Sequence, residues 1–215
     1  MIHFQHPVIA RQAFWPLAIL ILLSLIVHYQ LGTDYGIWLW LLTGLVAYFF
    51  RDPRRQIPPL PLAVVSPVDG KVANVEKVID PFLNRPAIRI QLVGSLTGVY
   101  TVRSAVEGKV QQQWFGTLPP KNEEGIYSAT GIPDYAQWTQ TDEKDDVVTT
   151  LSPKFIKSGL RCNAGSGERI GQGKACTFVP FGADAEVLVA ENTRIDIKPG
   201  DSIKAGSSVI ATLVH

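Results

Sequence analysis

A chain of 215 residues, 46% of them hydrophobic and 18% charged, is too apolar to remain disordered and long enough for one mid-sized domain with an appendage. With 20 basic and 19 acidic residues its formal charge is +1, which removes the electrostatic case for a nucleic-acid binder, while a mean hydropathy of +0.13 leans towards a membrane. Cys162 and Cys176 are too few for a disulfide framework and belong to no C-x-x-C or Cys/His cluster, so free thiols and no metal site are expected.

The apolar excess is concentrated before Arg51. Residues 14–29 read FWPLAILILLSLIVHY and residues 35–50 read YGIWLWLLTGLVAYFF; neither run holds a Lys, Arg, Asp or Glu, and a linker containing Gly32-Thr33-Asp34 joins them. Each is slightly shorter than the ~20 residues that cross a bilayer core, so a transmembrane helical hairpin over residues 1–50 is expected, with a re-entrant or half-inserted pair as its rival. A cleavable signal would end in a small-residue site instead of leading into a second apolar run. Trp38, Trp40, Tyr48, Phe49 and Phe50 suit an interfacial belt. Arg11 before the first run and Arg51, Arg54 and Arg55 after the second put both ends, and the domain that follows, on the cytoplasmic side by the positive-inside rule.

Residues 51–215 change texture to short β-rich segments broken by Gly, Pro and Asp, and the domain reads as mostly β. Strands are predicted at 63–66, 71–78, 87–92, 99–102, 109–114, 147–151, 175–180, 185–189, 193–197 and 208–213. The polar stretch 119–146 predicts a loop or a long hairpin, and its charge run Asp142-Glu143-Lys144-Asp145-Asp146 a solvated turn. Two distant segments share a strand–turn–strand form: Val64-Val65-Ser66-Pro67-Val68-Asp69-Gly70-Lys71-Val72, and Ile197 to Gly206 followed by Ser207-Ser208-Val209-Ile210-Ala211. They look like the two halves of a barrel-sandwich hybrid, the small β fold of biotinyl and lipoyl carriers, but neither carries the carriers' lysine-centred tip. A scaffold is expected, with no swinging arm.

These features converge. The apolar hairpin, then Tyr48-Phe49-Phe50-Arg51-Asp52-Pro53-Arg54-Arg55, then Ser66-Pro67-Val68-Asp69-Gly70 closely resembles the short, membrane-anchored form of the phosphatidylserine decarboxylase family. Ala105-Val106-Glu107-Gly108-Lys109-Val110 is similar to that family's P-V-D-G-x-V step, and Gly167-Glu168-Arg169-Ile170-Gly171 to its G-x-R-x-G element. The resemblance covers nearly the whole chain. It implies a proenzyme that cuts itself at a Gly-Ser bond, converts the serine into a pyruvoyl group, and uses that carbonyl as a Schiff-base electron sink to decarboxylate phosphatidylserine.

The chain departs from the family on the chemistry itself. Where the resemblance places R-F-G-S, it has Pro180-Phe181-Gly182-Ala183, so the attacking hydroxyl is missing. Where it places D-V-H, it has Gly98-Val99-Tyr100, so the orienting acid and the activating base are replaced, and a tyrosine with a reference pKa near ~10 is a poor base at neutral pH. Asp69 survives, as a catalytic acid or as a turn residue ahead of Gly70. Gly206-Ser207 resembles the processing motif of long-form members and offers Ser207 as a relocated pyruvoyl source; a plain turn is the alternative. His3, His6, His28 and His215 occupy no useful place, and Arg85, Arg89, Arg103 and Arg161 are the arginines considered for a phosphate.

Two readings follow. One is a divergent family member of phospholipid metabolism, impaired in self-processing and without a cofactor, that binds phosphatidylserine, another phospholipid or a partner at the membrane. The other is an active pyruvoyl-dependent decarboxylase processed at Gly206-Ser207. A β adaptor with no lipid ligand is the remaining possibility. No sequence feature fixes the oligomeric state.

Overall fold

The computed structural model describes residues 9–10, 13–60, 62–116, 133–156 and 160–214. Arg11, His3, His6, His215 and residues 119–132, the first half of the predicted 119–146 loop, therefore lie outside the described residues. The chain divides into two compact units, Met1–Arg54 and Arg55–His215.

In the first unit the charge-free runs form two helices, α1 (Phe14–Leu31) and α2 (Thr33–Phe49), with Gly32 alone between them. The linker is shorter than its polar residues suggested. Gly32 takes φ +85°, a conformation that penalises a β-carbon, and this reverses the chain in one residue. Thr33 and Asp34 are thereby released to open α2, where an acidic side chain favours the positive end of the helix dipole.

Small and polar residues hold the hairpin. The Oγ of Ser24 and Oγ1 of Thr43 lie 3.2 Å apart between the helices, and each also donates to a carbonyl four residues back, of Leu20 and Leu39. At Gly36 a β-carbon would approach the Cα of His28 to 3.1 Å, so the absence of a side chain there allows the close approach. The large apolar side chains instead point outwards: Trp15 is 80% exposed and Trp38 71%. That inverts the soluble pattern and matches helices packed through small residues with apolar exteriors.

The transmembrane expectation is corrected in one respect. Neither described helix is long and apolar enough to cross a membrane. At 18 and 17 residues, and about 1.5 Å of rise per residue, both fall short of a hydrocarbon core of about 30 Å.

The second unit is mostly β. Its strands are β1 (Ala63–Val65), β2 (Gly70–Asp80), β3 (Arg85–Gly94), β4 (Thr101–Arg103), β5 (Gly108–Phe115), β6 (Tyr135–Gln140), β7 (Asp146–Pro153), β8 (Arg169–Ile170), β9 (Ala175–Phe178), β10 (Ala183–Ala190), β11 (Arg194–Ile195), β12 (Ser202–Ile203) and β13 (Val209–Thr212). Eight of them form one sheet in the order β12-β2-β3-β10-β7-β6-β5-β8, beside the small sheets β1-β13-β11 and β4-β9. Register shifts at Val72/Asn74 and Val110/Gln112 add local twist to the long sheet.

Alternation along β10 shows how the sheet is covered. Ala185, Val187 and Val189 face the main core with Ile90, Leu92 and Leu151, whereas Leu188 faces a second cluster with Phe82, Trp114 and Val148. Both faces are thus apolar at the sheet centre, which places β10, and the turn that opens it, on a rigid support.

Three strands were not read from the sequence. β8 and β12 have two residues each, too few to show a period. β6 is hidden because its buried face is polar. The Tyr135 hydroxyl donates to Gln137, the Gln137 amide to Thr139, and Gln113 reaches back to Tyr135, so a hydrogen-bonded ladder takes the place of apolar alternation. Burial holds the Tyr135 hydroxyl far above the usual tyrosine range. The charge run Asp142–Asp146 forms the β6–β7 turn, closed by Thr141 and Asp145.

The free-thiol expectation is overturned. Cys162 and Cys176 are joined in a disulfide with Cα atoms 4.4 Å apart. The Asn163 N–H donates to the carbonyl of Cys176 at 2.7 Å, and this pairing brings the two segments into register.

Candidate functional site

The two strand–turn–strand segments come together although more than a hundred residues separate them. β1 pairs with β13 and β12 with β2, while the N–H of Gly206 donates to Ser66 and that of Ser66 to Ser208. Asp69 stands where they meet. Its Oδ1 accepts from the N–H of Ala205 at 2.7 Å, and its Oδ2 from the N–H of Val99 at 3.0 Å and from the Arg55 guanidinium at 2.6 Å. Both side chains of this ion pair are 13% exposed. The carboxylate therefore ties three segments of chain together, which is the behaviour of a structural clamp.

Gly98 packs against that clamp. A β-carbon at Gly98 would lie 2.8 Å from Cβ of Asp69 and 3.2 Å from Cβ of Ser95, so an aspartate at this position has no room in the present arrangement. Tyr100 is buried, its hydroxyl donates to the carbonyl of Leu96 at 2.6 Å, and its ring meets those of Phe178 and Phe181, each at 6.1 Å between centroids. It is engaged as a packing residue.

The Gly182-Ala183 turn reaches the same loop from the other side. Phe181 and Gly182 both have positive φ, +63° and +82°. A β-carbon on Gly182 would come within 3.0 Å of the Ser95 carbonyl, and one on Gly94 within 2.1 Å of the Ala183 carbonyl. Residues 94–100 thus bridge Asp69 to Gly182-Ala183, and five of the altered or retained family positions, Asp69, Gly98, Tyr100, Gly182 and Ala183, do converge.

Ser207 stands apart from that convergence. Its N–H donates to Lys204 in the turn before β13, and Gly206, at φ +71°, sits against Gly173 and Cδ of Arg103. Among the described residues the Ser207 hydroxyl makes no hydrogen bond to a histidine or a carboxylate.

A cavity of about 430 Å³ opens beside Asp69 and Gly98, bordered by Ser95, Thr97, Ser202, Lys71 and Lys204. The two lysines were missed in the sequence because they are isolated there, Lys71 in β2 and Lys204 after β12; only the register Ser202↔Lys71 brings them to one mouth. The arginines considered from sequence are occupied elsewhere: Arg85 bonds the Asp146 carbonyl, Arg89 Glu76, Arg103 the Gly173 carbonyl, and Arg161 lies over the Phe115 ring. Arg55, read as part of the basic flank, proves to be the partner of Asp69. A separate cavity of about 210 Å³ near Glu107, Asp142 and Glu143 contains none of the predicted residues, and no metal-binding cluster occurs among the described residues.

Residues 42–211 match the family model described as phosphatidylserine decarboxylase. The chain is 32% identical to the phosphatidylserine decarboxylase proenzyme of Nitrosomonas eutropha, with 97% of each chain covered. It is 30% identical to that of Nitrosomonas europaea, again over 97% of each, and 31% identical to that of Cupriavidus taiwanensis over 98% of each.

Proposed function

The chain belongs to the phosphatidylserine decarboxylase family, and we propose that within it this protein does not make a pyruvoyl group but holds the headgroup of phosphatidylserine, or a like anionic phospholipid, on a barrel-sandwich-hybrid-like scaffold at a membrane. The observation that carries the reading is the environment of Asp69. Its oxygens are taken up by Arg55 and two backbone N–H groups, and the neighbouring turn offers Ala183 in place of a hydroxyl.

A pyruvoyl group arises from a serine of the chain itself, activated by a base, and supplies an electron sink for loss of CO₂. The residues around Gly182-Ala183 do not fit that group. Ala183 has no oxygen to give, and the Tyr100 hydroxyl is directed at the Leu96 carbonyl. The cavity fits an anionic headgroup better. Lys71 and Lys204 offer cationic donors for a phosphate or carboxylate, and Ser95, Thr97 and Ser202 offer hydroxyls for its remaining oxygens.

Membrane association is part of the same reading. The outward apolar side chains of α1 and α2 suit a half-inserted hairpin seated in one leaflet, and the basic residues after α2 suit its anionic headgroups. The second reading, an active decarboxylase processed at Gly206-Ser207, is favoured by the positive φ of Gly206 ahead of a half-buried serine.

Titration of the full-length protein in detergent with soluble short-chain phosphatidylserine, alongside an assay for released CO₂, tests the proposal. Saturable binding that is weakened in Lys71→Ala and Lys204→Ala, without CO₂, is expected. CO₂ release, or no binding at all, would overturn it.

A further inference from the structure

An exposed apolar ridge stands next to the cavity and has no role in closing it. Phe155 is 66% exposed, and Leu96, Ile156 and Phe181 are likewise exposed. These side chains form a group. The rings of Phe155 and Phe181 meet edge to face at 5.8 Å, Phe181 leans on Tyr100, and the Tyr100 hydroxyl anchors the carbonyl of Leu96. Leu96 lies between Ser95 and Thr97, both of which border the cavity, so ridge and cavity mouth share one loop.

Two physical features set the ridge apart from scattered surface hydrophobics. Phe181 is held at φ +63°, a backbone conformation that is a genuine outlier for a bulky residue, yet its ring is not used to fill the core. The loop is also fastened beneath it, because the N–H of Lys154 donates to the Gly182 carbonyl and Lys154 pairs with Asp184 at 3.2 Å. Strained, braced and presented to solvent, the aromatic pair is arranged for contact with something outside the unit.

Charge selects the occupant. Lys71 and Lys204 border the adjoining cavity, and among the described residues neither is in an ion pair, whereas Asp69 and Asp184 are matched by Arg55 and Lys154, and Asp201, next to Ser202, accepts the N–H of Lys198. An apolar ridge beside unpaired cations complements an anionic bilayer, whose acyl boundary takes aromatic and aliphatic side chains while its headgroups meet lysines.

We propose that Leu96, Phe155, Ile156 and Phe181 insert into the interface of an anionic phospholipid bilayer, so that the β unit docks by its own surface, independently of the helical hairpin, with the cavity mouth at headgroup level. The proposal goes beyond the headgroup-binding reading and takes from it only the choice of a lipid occupant.

The test uses the full-length protein reconstituted with vesicles of phosphatidylcholine alone or mixed with phosphatidylserine. Because the native cysteines are bridged, an environment-sensitive fluorophore can be placed on Phe155→Cys, on Leu96→Cys and, as a control, on Glu191→Cys, in the turn just past the far end of the eight-residue strand β10. A blue shift at 155 and 96 on phosphatidylserine vesicles, quenched by lipids brominated in the acyl chain and absent at 191, is expected. A water-like emission at both ridge positions on vesicles of either composition would overturn the proposal. So would a blue shift that depends on protein concentration without lipid, which would assign the ridge to a second copy of the chain. Binding of soluble short-chain phosphatidylserine to the same labelled proteins reports the cavity separately, so a failure of docking and a failure of headgroup binding are distinguishable.

Discussion

The guanidinium of Arg55 donates to Oδ2 of Asp69 at 2.6 Å, and with Val99 and Ala205 it completes the ligation of a carboxylate that sequence alone presented as either catalytic or structural. A residue at the start of the β unit is thereby tied to the first strand–turn–strand segment and, through Asp69, to the last. Removing the guanidinium leaves a largely buried charge without its counterion, so Arg55→Ala is expected to destabilise the protein by about 1–3 kcal/mol. In a double-mutant cycle with Asp69→Asn, chemical denaturation should return a favourable coupling between the two. Additive effects would mean that the pair does not clamp the fold.

Restoring single family residues is expected to fail. Ala183→Ser supplies a hydroxyl but no base, and the variant should run as one uncleaved chain on a denaturing gel. Gly98→Asp forces a β-carbon to within 2.8 Å of Cβ of Asp69 and sets a second carboxylate beside it, so a loss of about 1–3 kcal/mol is expected in urea unfolding. A neutral effect would show that the loop 94–100 yields more easily than its packing indicates.

The disulfide between Cys162 and Cys176 closes a short loop, and reducing it should lower stability by about 3 kcal/mol, read as a shift of the denaturation midpoint with and without reductant. Alkylation of the unfolded, unreduced protein should find no free thiol. Finding two would contradict the bridge. The same bond bears on sidedness, because disulfides are rare in reducing compartments: thiol trapping in intact cells should find these cysteines reduced if the β unit faces the cytoplasm, and bridged if it does not.

Asp80 is fully buried, and desolvation raises its pKa above the usual carboxylate value despite the N–H groups of Phe82 and Leu83 and the nearby Arg85. A raised folded-state pKa means that the charged form opposes folding above it, and that this opposition fades as pH falls through the folded value towards the unfolded one. Asp80→Asn keeps the acceptor for Phe82 and removes the charge. The variant should be at least as stable as the parent at pH ~7, and its advantage should shrink on acidification towards ~4. A variant less stable at neutral pH would show that the pairing with Arg85 outweighs desolvation.

Much of this architecture was legible because it rests on local pattern. The charge-free runs gave both helices, and alternation gave β2, β3, β5, β7 and β10 within a few residues. The two Gly-containing turns were recognisable as partners before their pairing was known. The rest depends on three-dimensional coincidence. Nothing local links Arg55 to Asp69, Lys71 to Lys204 or Cys162 to Cys176, and β6 hides its buried face behind Tyr135, Gln137 and Thr139. Gly32 alone makes the turn between the helices and hands Thr33 and Asp34 to α2, a division of residues that hydropathy does not report.

The central claim, a family member that is not self-processed, is tested most directly by intact-mass analysis of the purified full-length protein, with and without hydroxylamine. A single chain of 23.6 kDa, unchanged by the nucleophile, is the predicted result. Two fragments, one ending at Gly206 and the other beginning with a pyruvoyl-modified residue at position 207, would contradict it and make the protein a decarboxylase processed at Ser207.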